Sequence, residues 1–271
     1  MILRPLKQIV IGVIFFSLIG IIVGSIYYFN TPRPTCSDGI KNGIEEGADC
    51  GQLACGLSCP PVIVDLKILS SQIFKIAEGD YDFVAKIYNP NPTYGASKVD
   101  SEIIFLDGTD MEVYKSNYDF YILPGQTKYV IFNAIKADPS STQARIKIKQ
   151  ADWVGIKEFI DVSFPLRNQI FTSQNNRTDF KGVILNDSDF DFDFVEARVI
   201  LMDSLGNVIG VNKTNLRTLL AGTEREFEVF WPYFMNLSGI KADVEADTNL
   251  LDNFNFLRRY GGGQEKFQTY Y

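Results

Sequence analysis

Four cysteines lie close together in the first quarter of the chain, at Cys36, Cys50, Cys55 and Cys59. Four thiolates can hold a tetrahedral zinc ion, but such sites are usually built from paired CxxC units, which this spacing lacks. Two disulfides in an oxidising compartment fit the cluster better, because a segment with few apolar residues needs cross-links to hold its shape. The sequence leaves the three possible pairings open.

Oxygen ligands are interleaved with these cysteines, at Asp38, Asn42, Glu45 and Asp49. A calcium ion prefers six to eight such oxygens, so these side chains form a candidate calcium site. Their spacing does not match the D-x-[DN]-x-[DN]-G loop of an EF-hand, and solvated turn residues are the alternative interpretation. We therefore expect no resident cofactor, with calcium at these four residues as the other possibility.

The composition excludes several classes of chemistry. The chain has no histidine, which removes Ser-His-Asp and Cys-His nucleophilic sites and every metal site that uses imidazole. Its formal net charge is −7, and we expect no nucleic-acid partner because phosphate binding needs a concentrated basic surface. Carboxylate pairs for a hydrolase exist in number, but nothing in the sequence places two of them across a cleft. We expect a protein that is not an enzyme.

The cysteine segment also has a recognisable pattern. Residues 36–51 read CSDGIKNGIEEGADCG, which resembles the short CxDGxxNGxExGxDCGG modules of prokaryotic surface and secreted proteins. Gln52 stands where the second glycine of the final pair is usual. The resemblance implies an extracytoplasmic setting and no particular chemistry.

An uncharged apolar run from Ile9 to Phe29 precedes this segment. As a helix it would reach roughly 31 Å, enough to cross a hydrocarbon layer of about 30 Å. Bulky residues at its end favour a retained anchor over a cleaved signal peptide. Arg4 and Lys7 before the run predict a cytoplasmic N-terminus, with the rest of the chain outside. Gly20 and Gly24 form a GxxxG pair that makes a homodimer possible.

The remainder contains an internal repeat. Asp82 recurs as Asp179, and Gly125 recurs as Gly222; the offset stays between 96 and 98 residues along the whole region. This periodicity predicts two tandem domains. The full organisation we expect is a cytoplasmic N-terminus at 1–8, a transmembrane helix at 9–29, a cysteine-rich neck at 30–60, β-sandwiches at 61–162 and 163–258, and a flexible tail at 259–271.

Each repeat has the pattern of short strands. Alternation at Val62, Val64, Leu66 and Ile68 is typical of a half-buried strand, and the Asn89–Pro92 segment must interrupt pairing. Seven or so strands in each repeat predict antiparallel sandwiches of immunoglobulin or fibronectin size. The fold class is therefore mainly β, after one transmembrane helix and the neck.

The repeats resemble known groups. In the first, a strand ending in Asn-Pro (84–92), a hydrophobic strand (103–106) and Leu-Pro-Gly before another strand (123–132) resemble the late-embryogenesis-abundant type 2, or water-stress (WHy), domain. The second, from Phe180 through Asn186 to Phe230, is similar to the FxLYD-type bacterial β-sandwich, with Asn186-Asp187 in place of Asn-Pro. These resemblances imply a fibronectin-like sandwich of envelope or stress-related proteins, with no catalytic residues to carry over.

Two further patterns are open to more than one interpretation. Acidic residues alternate with aromatic ones at 187–194, which predicts an exposed carboxylate row over a buried face of Phe190, Phe192 and Phe194, with a cation site as the alternative. Trp153 and Trp231 fit a sandwich core better than a sugar-binding surface.

Together these patterns predict a single-pass membrane protein of the cell envelope. Its sandwiches would have a structural, adhesive or assembly role. The partners we expect are membrane lipid, envelope or surface proteins and, if the protein is a homodimer, a second copy of the chain. The alternatives are a calcium- or carbohydrate-dependent binding protein and, less favoured, a carboxylate-based hydrolase.

Overall fold

The computed structural model describes residues 3–30, 36–156 and 159–260. The chain divides into two compact units, Met1–Val62 and Ile63–Tyr271. The first unit contains helix α1 (Leu3–Asn30) and the short helix α2 (Gln52–Cys55), and the second contains twelve named strands and helix α3 (Phe254–Tyr260).

Helix α1 carries an apolar span from Gln8 to Tyr28, 21 residues whose side chains are not buried within the protein. Its length and composition are sufficient to cross a membrane, as an anchor or as an export signal.

Six antiparallel strands form sandwich 1. They are β1 (Lys67–Ala77), β2 (Asp80–Tyr88), β3 (Tyr94–Leu106), β4 (Glu112–Ile122), β5 (Thr127–Lys136) and β6 (Gln143–Gly155). One sheet has the order β1-β2-β5 and the other β4-β3-β6. Alternate residues of both sheets point into one core, where Phe83 of β2, Phe105 of β3 and Phe132 of β5 are buried. Burial of these faces stabilises the pair of sheets.

Sandwich 2 repeats this arrangement. Its strands are β7 (Leu166–Gln174), β8 (Arg177–Leu185), β9 (Phe192–Met202), β10 (Val208–Leu219), β11 (Glu224–Trp231) and β12 (Lys241–Asp247). The sheets are ordered β7-β8-β11 and β10-β9-β12. This is the strand order of sandwich 1 with six added to each strand number. The mainly β fold class with tandem antiparallel sandwiches is therefore confirmed.

A buried asparagine occupies the same place in each repeat. The Nδ2 group of Asn89 donates to the carbonyls of Tyr94 and Leu123, at 2.7 and 2.9 Å, and Nδ2 of Asn186 donates to those of Phe190 and Leu219, at 2.7 and 3.0 Å. Each side-chain amide links the loop that follows its own strand, β2 or β8, to the end of the fourth strand of its repeat, β4 or β10. Because both asparagines make the same hydrogen bonds, Asn recurs at the same offset in the two repeats.

Several local expectations differ from the structure. The described strands number six per repeat, against the seven or so expected, and residues 62–66 are not a strand. Val64 instead exchanges two hydrogen bonds with the side-chain amide of Asn91, at 2.8 and 2.7 Å, so a side chain takes the place of a strand partner. Arg259, expected in the tail, belongs to α3, and residues 261–271 of that tail lie outside the described residues.

The predicted aromatic face at 190–194 is correct only in part. Phe192 is buried and Phe190 packs against the core of sandwich 2, but Phe194 is 54% exposed. Opposite this point of β9, Thr218 has a left-handed φ of 57°, and Arg217 lies over the Phe194 ring at 5.3 Å. The buried positions at the start of β9 are therefore Phe192 and Val195, three residues apart, and Phe194 faces outward.

The two sandwiches pack directly on each other. Val84, Tyr129 and Ile131 of sandwich 1 form a buried cluster with Ile200 and Val211 of sandwich 2. Strands β5 and β9 are therefore covered on both faces, with a sandwich core on one side and the neighbouring sandwich on the other.

Candidate functional site

The cysteine segment is cross-linked as expected, by Cys36–Cys55 and Cys50–Cys59. The structure thus selects one of the three pairings that the sequence left open. Gly47 packs against the second bridge, where a Cβ atom would lie 2.7 Å from Cys50 Sγ and 3.0 Å from Cys59 Sγ. Gln52, the departure from the family pattern, begins helix α2, where a glycine is not required.

The four candidate calcium ligands lie close together in the same segment. Asp49 accepts hydrogen bonds from the backbone amides of Asp38 and Gly39, at 2.8 and 2.7 Å. Glu45 is buried and its Oε2 accepts from the amides of Asn42 and Asp49, at 3.2 and 3.3 Å. Asn42 donates Nδ2 to Asp38 at 2.9 Å. The carboxylates therefore cap the turns of the segment.

Glu45 Oε1 also lies 3.6 Å from Cys55 Sγ. This is a contact without a hydrogen bond, because a disulfide sulfur carries no proton. Cys36, Glu45 and Cys55 come near enough to share a metal ion, but both sulfurs are committed to the Cys36–Cys55 bridge. A thiolate site at this position would require that bridge to be reduced.

The other predicted site residues lie apart. Gly20 and Gly24 are on α1 with open space around them, as a helix contact surface requires. Asp187, Asp189, Asp191 and Asp193 are exposed at the β8–β9 connection and the start of β9; Asp189 pairs with Arg259 at 3.1 Å and Asp191 accepts from the Ala221 amide at 2.8 Å. Trp231 is 1% exposed, with its Nε1 donating to Val211, so it belongs to the core.

The most elaborate polar site is one that the sequence did not predict: a buried charged cluster between the two sandwiches, centred on Asp247 of β12. Arg198 of β9 donates to both oxygens of Asp247 at 2.8 Å. From sandwich 1, Tyr121, Gln126 and Lys128 donate to the same carboxylate at 2.6, 2.7 and 3.3 Å.

Two further carboxylates complete this cluster. Glu196 accepts from Arg198 and from Lys213, each at 2.8 Å, and Glu245 accepts from Arg198 at 3.3 Å and from the Tyr129 amide at 3.3 Å. The cluster therefore contains three cations, Lys128, Arg198 and Lys213, and three carboxylates, Glu196, Glu245 and Asp247. Its charges balance, which is the condition under which buried ions are tolerated.

Burial and pairing act against each other on the pKa values of Asp247 and Lys128, and act together on that of Tyr121. Burial acts to raise the pKa of Asp247, but Lys128 and Arg198 outweigh it and hold that pKa well below its usual range. Burial lowers the pKa of Lys128 to about 8, although Asp247 favours the charged amine. Burial raises the pKa of Tyr121 well above its ordinary value, and the neighbouring Asp247 adds to the effect.

This arrangement is suited to holding two domains together. Asp247 is surrounded by donors from both sandwiches, and Lys128 is 2% exposed and lies 3.3 Å over the Tyr121 ring. Both carboxylate oxygens of Asp247 accept hydrogen bonds from buried donors, and the Lys128 amine is held by Asp247 and the Tyr121 ring. The donors and acceptors of the cluster satisfy one another across the interface.

The sequence carried a signal for this cluster. Residues 195–202 read VEARVILM, a run with apolar residues at both odd and even positions, which is typical of a strand covered on both faces. A charged residue within such a run must be buried and paired. The same argument applies to Lys128, which precedes the run from Tyr129 to Phe132.

No known protein family matches the chain, and no curated protein is significantly similar to it. Among solved structures, a glycosyl hydrolase family 2 member from Bacteroides cellulosilyticus matches with a TM-score of 0.23 and 10% identity, over 63% of this chain. The chain spans 25% of the length of that structure. A likeness this weak carries no argument about fold or activity.

Proposed function

We propose that the protein is a single-pass, membrane-anchored component of the cell envelope, with a non-catalytic structural, adhesive or assembly role. The apolar span of α1 would fix its position, the disulfide-linked neck would separate the membrane from the sandwiches, and the sandwiches would offer a surface to other envelope proteins. The cysteine pairing supports an oxidising compartment, and hence an extracytoplasmic position for the chain after α1.

The observation that carries this proposal is the hydrogen bonding of Asp247. One carboxylate of sandwich 2 accepts bonds from three side chains of sandwich 1. A surface formed by both sandwiches keeps its shape only if their relative orientation is fixed, and a buried, fully paired charge network fixes it. Such rigidity is useful to a protein that presents a binding surface or bears load between partners.

The experiment is photo-crosslinking of the full-length protein in cells that make it, with a photoreactive amino acid at exposed positions of each sandwich. We expect partners that are envelope or surface proteins. Asp247→Asn should reduce their recovery when the crosslinker lies near the interface, and Asp243→Asn, an exposed change on the same strand, should not. Recovery of only cytoplasmic proteins, or free thiols at the four cysteines, would contradict the proposal.

A calcium-dependent role for the neck is the second candidate, because one atom there favours it. The Oδ1 atom of Asn42 is buried and has no hydrogen-bond partner, which is the state of an oxygen prepared for a cation or a water. Isothermal titration of the full-length protein with calcium tests this candidate. Binding that is lost in Asn42→Ala and kept in Asp187→Asn would support it, whereas no heat of binding at millimolar calcium would exclude it.

A further inference from the structure

Four Asn-x-Ser/Thr sequences, the acceptor pattern for N-linked sugars, lie in sandwich 2. They begin at Asn176, Asn186, Asn212 and Asn236. Transfer of a sugar uses the side-chain amide nitrogen of the asparagine and the hydroxyl two residues later, and the folded protein must leave space for the attached sugar. The four sequences differ in how well the fold meets these conditions.

Three of the four acceptor sequences are committed to contacts within the protein. Asn186 is 0% exposed, and its Nδ2 group donates to two backbone carbonyls. Asn212 is half-buried within β10, where its Nδ2 group donates to a backbone carbonyl of β11 at 2.6 Å. Asn176 is exposed, but the hydroxyl of its acceptor sequence belongs to Thr178, which is fully buried and donates to a backbone carbonyl at 2.9 Å.

Asn236 lies in the connection between β11 and β12 and meets both conditions. The side chains of Asn236 and Ser238 are exposed. Asn236 Oδ1 accepts a hydrogen bond from the Ser238 backbone amide at 3.1 Å. Because that backbone amide needs an acceptor, the side-chain amide cannot be turned over, and Nδ2 is left for another bond. Within the described part of the chain, neither Asn236 Nδ2 nor the Ser238 hydroxyl has a hydrogen-bond partner.

The connection that carries Asn236 is anchored to sandwich 2 on both sides of the acceptor. Met235 is buried, and its backbone amide donates to two side-chain hydroxyls of sandwich 2, at 2.9 and 3.1 Å. Leu237 packs against the core of the same sandwich. The residues that alternate with these two are exposed, and they are Phe234, Asn236 and Ser238. The acceptor is therefore presented at the surface by a fixed segment of backbone.

An exposed aromatic ring beside the acceptor is a second, independent observation. Phe234 is 59% exposed and lies two residues before Asn236, on the same outward side. Residues two apart in an extended chain are separated by about 6 to 7 Å, so the first sugar on Asn236 would reach the ring. It would cover apolar surface that water now contacts. The corresponding positions of the other three sequences hold Gln174, Ile184 and Gly210.

We propose that Asn236 is an N-glycosylation site, and that the sugar comes from a lipid-linked oligosaccharide. Nδ2 of Asn236 forms a bond to the anomeric carbon of the first sugar, while the bond from that carbon to the phosphate oxygen of the carrier lipid breaks. The carrier leaves as its phosphate or pyrophosphate, and the amide gives one proton to a base of the transferase. This inference rests on the extracytoplasmic position proposed above, since such acceptors are used in secreted chains.

Mass-spectrometric peptide mapping of the full-length protein, purified from cells that make it, tests the site. We expect an added sugar mass on Asn236 and none on Asn176. Asn236→Gln and Ser238→Ala should each remove that mass, whereas Ser238→Thr, which keeps the hydroxyl, and Asn176→Gln, the matched control, should retain it. An unmodified Asn236, or a sugar that survives Ser238→Ala, would overturn the proposal.

A thermal unfolding measurement tests the contact between the sugar and Phe234. The glycosylated protein should unfold about 2 to 4 °C above Asn236→Gln, the shift that one added contact gives in a protein of this size. Phe234→Ala should remove most of this difference, and an undiminished difference would contradict the contact.

Thiol titration of the same sample distinguishes failure of this site from failure of the proposed location. Disulfide-linked cysteines together with an unmodified Asn236 would reject the glycosylation site alone. Free thiols together with an unmodified Asn236 would reject the extracytoplasmic position as well.

Discussion

Replacing Asp247 by Asn should weaken the protein more than any other isosteric change at the interface. The substitution keeps the shape of the side chain but removes its charge, and it turns one acceptor oxygen into a donor. Arg198 and Lys128, which are 1% and 2% exposed, then face an amide group in place of a carboxylate. Lys128 loses its ion-pair partner, and Arg198 keeps only Glu196 and Glu245.

The expected cost follows from burial. Removing one partner of a buried ion pair costs about 3 to 5 kcal/mol, because it leaves an uncompensated charge out of water. A domain has a free energy of unfolding of about 5 to 15 kcal/mol, so a large share of it would be lost. Asp243→Asn changes an exposed carboxylate on the same strand and should cost less than about 0.5 kcal/mol.

Urea denaturation of the full-length protein in detergent, followed by tryptophan fluorescence, measures both variants. Trp153 reports on sandwich 1 and Trp231 on sandwich 2, so a weakened interface should also separate one transition into two. A loss below about 1 kcal/mol for Asp247→Asn, no larger than that of Asp243→Asn, would refute the reasoning.

Four further predictions concern pH, packing and the neck. Because the folded pKa of Asp247 is depressed, its stabilisation is present above the ordinary value of 3.8 and is lost as the pH falls below it, so Asp247→Asn should flatten the acid limb of a plot of unfolding midpoint against pH. The lowered pKa of Lys128 acts in the alkaline range. The unfolded chain holds the proton up to its ordinary pKa of 10.5, so stability should rise with pH between about pH 8 and that value, and Lys128→Met should abolish the rise in the same plot. Gly95→Ala should destabilise by about 1 to 3 kcal/mol in the urea assay, because its Cβ would lie 2.8 Å from Leu251 Cδ1 and 3.0 Å from the Ile122 carbonyl, whereas Gly108→Ala, which meets open space, should cost far less. Peptide mapping without reductant should recover Cys36 linked to Cys55 and Cys50 linked to Cys59, and recovery of either other pairing would contradict the structure of the neck.

Features that are local or periodic in the sequence could be predicted. The apolar run of α1, the cross-linked cysteines and the strand repeat all follow from neighbouring residues or from a fixed offset. Asn89 and Asn186 show the reason: the same hydrogen bonds recur in both repeats, so the same residue recurs at the same place.

The charged cluster could not be predicted in the same way, because its members come together only when the two sandwiches pack. Tyr121 and Asp247 are 126 residues apart, and no short motif connects them. Phe194 shows the limit of alternation, since it lies at the surface where the alternating pattern placed it inward, at a point where the paired strand has a left-handed residue.

We infer that the buried charges fix the two sandwiches in one orientation. A distance measurement between spin labels tests it most directly, with one label on a noncanonical amino acid at Met111 of the β3–β4 turn and one at Leu205 of the β9–β10 turn. Both positions are exposed, at 65% and 85%, and the four cysteines stay untouched. We expect one narrow distance distribution for the full-length protein and a broader one for Asp247→Asn. A broad or multiple distribution in the unaltered protein would contradict it.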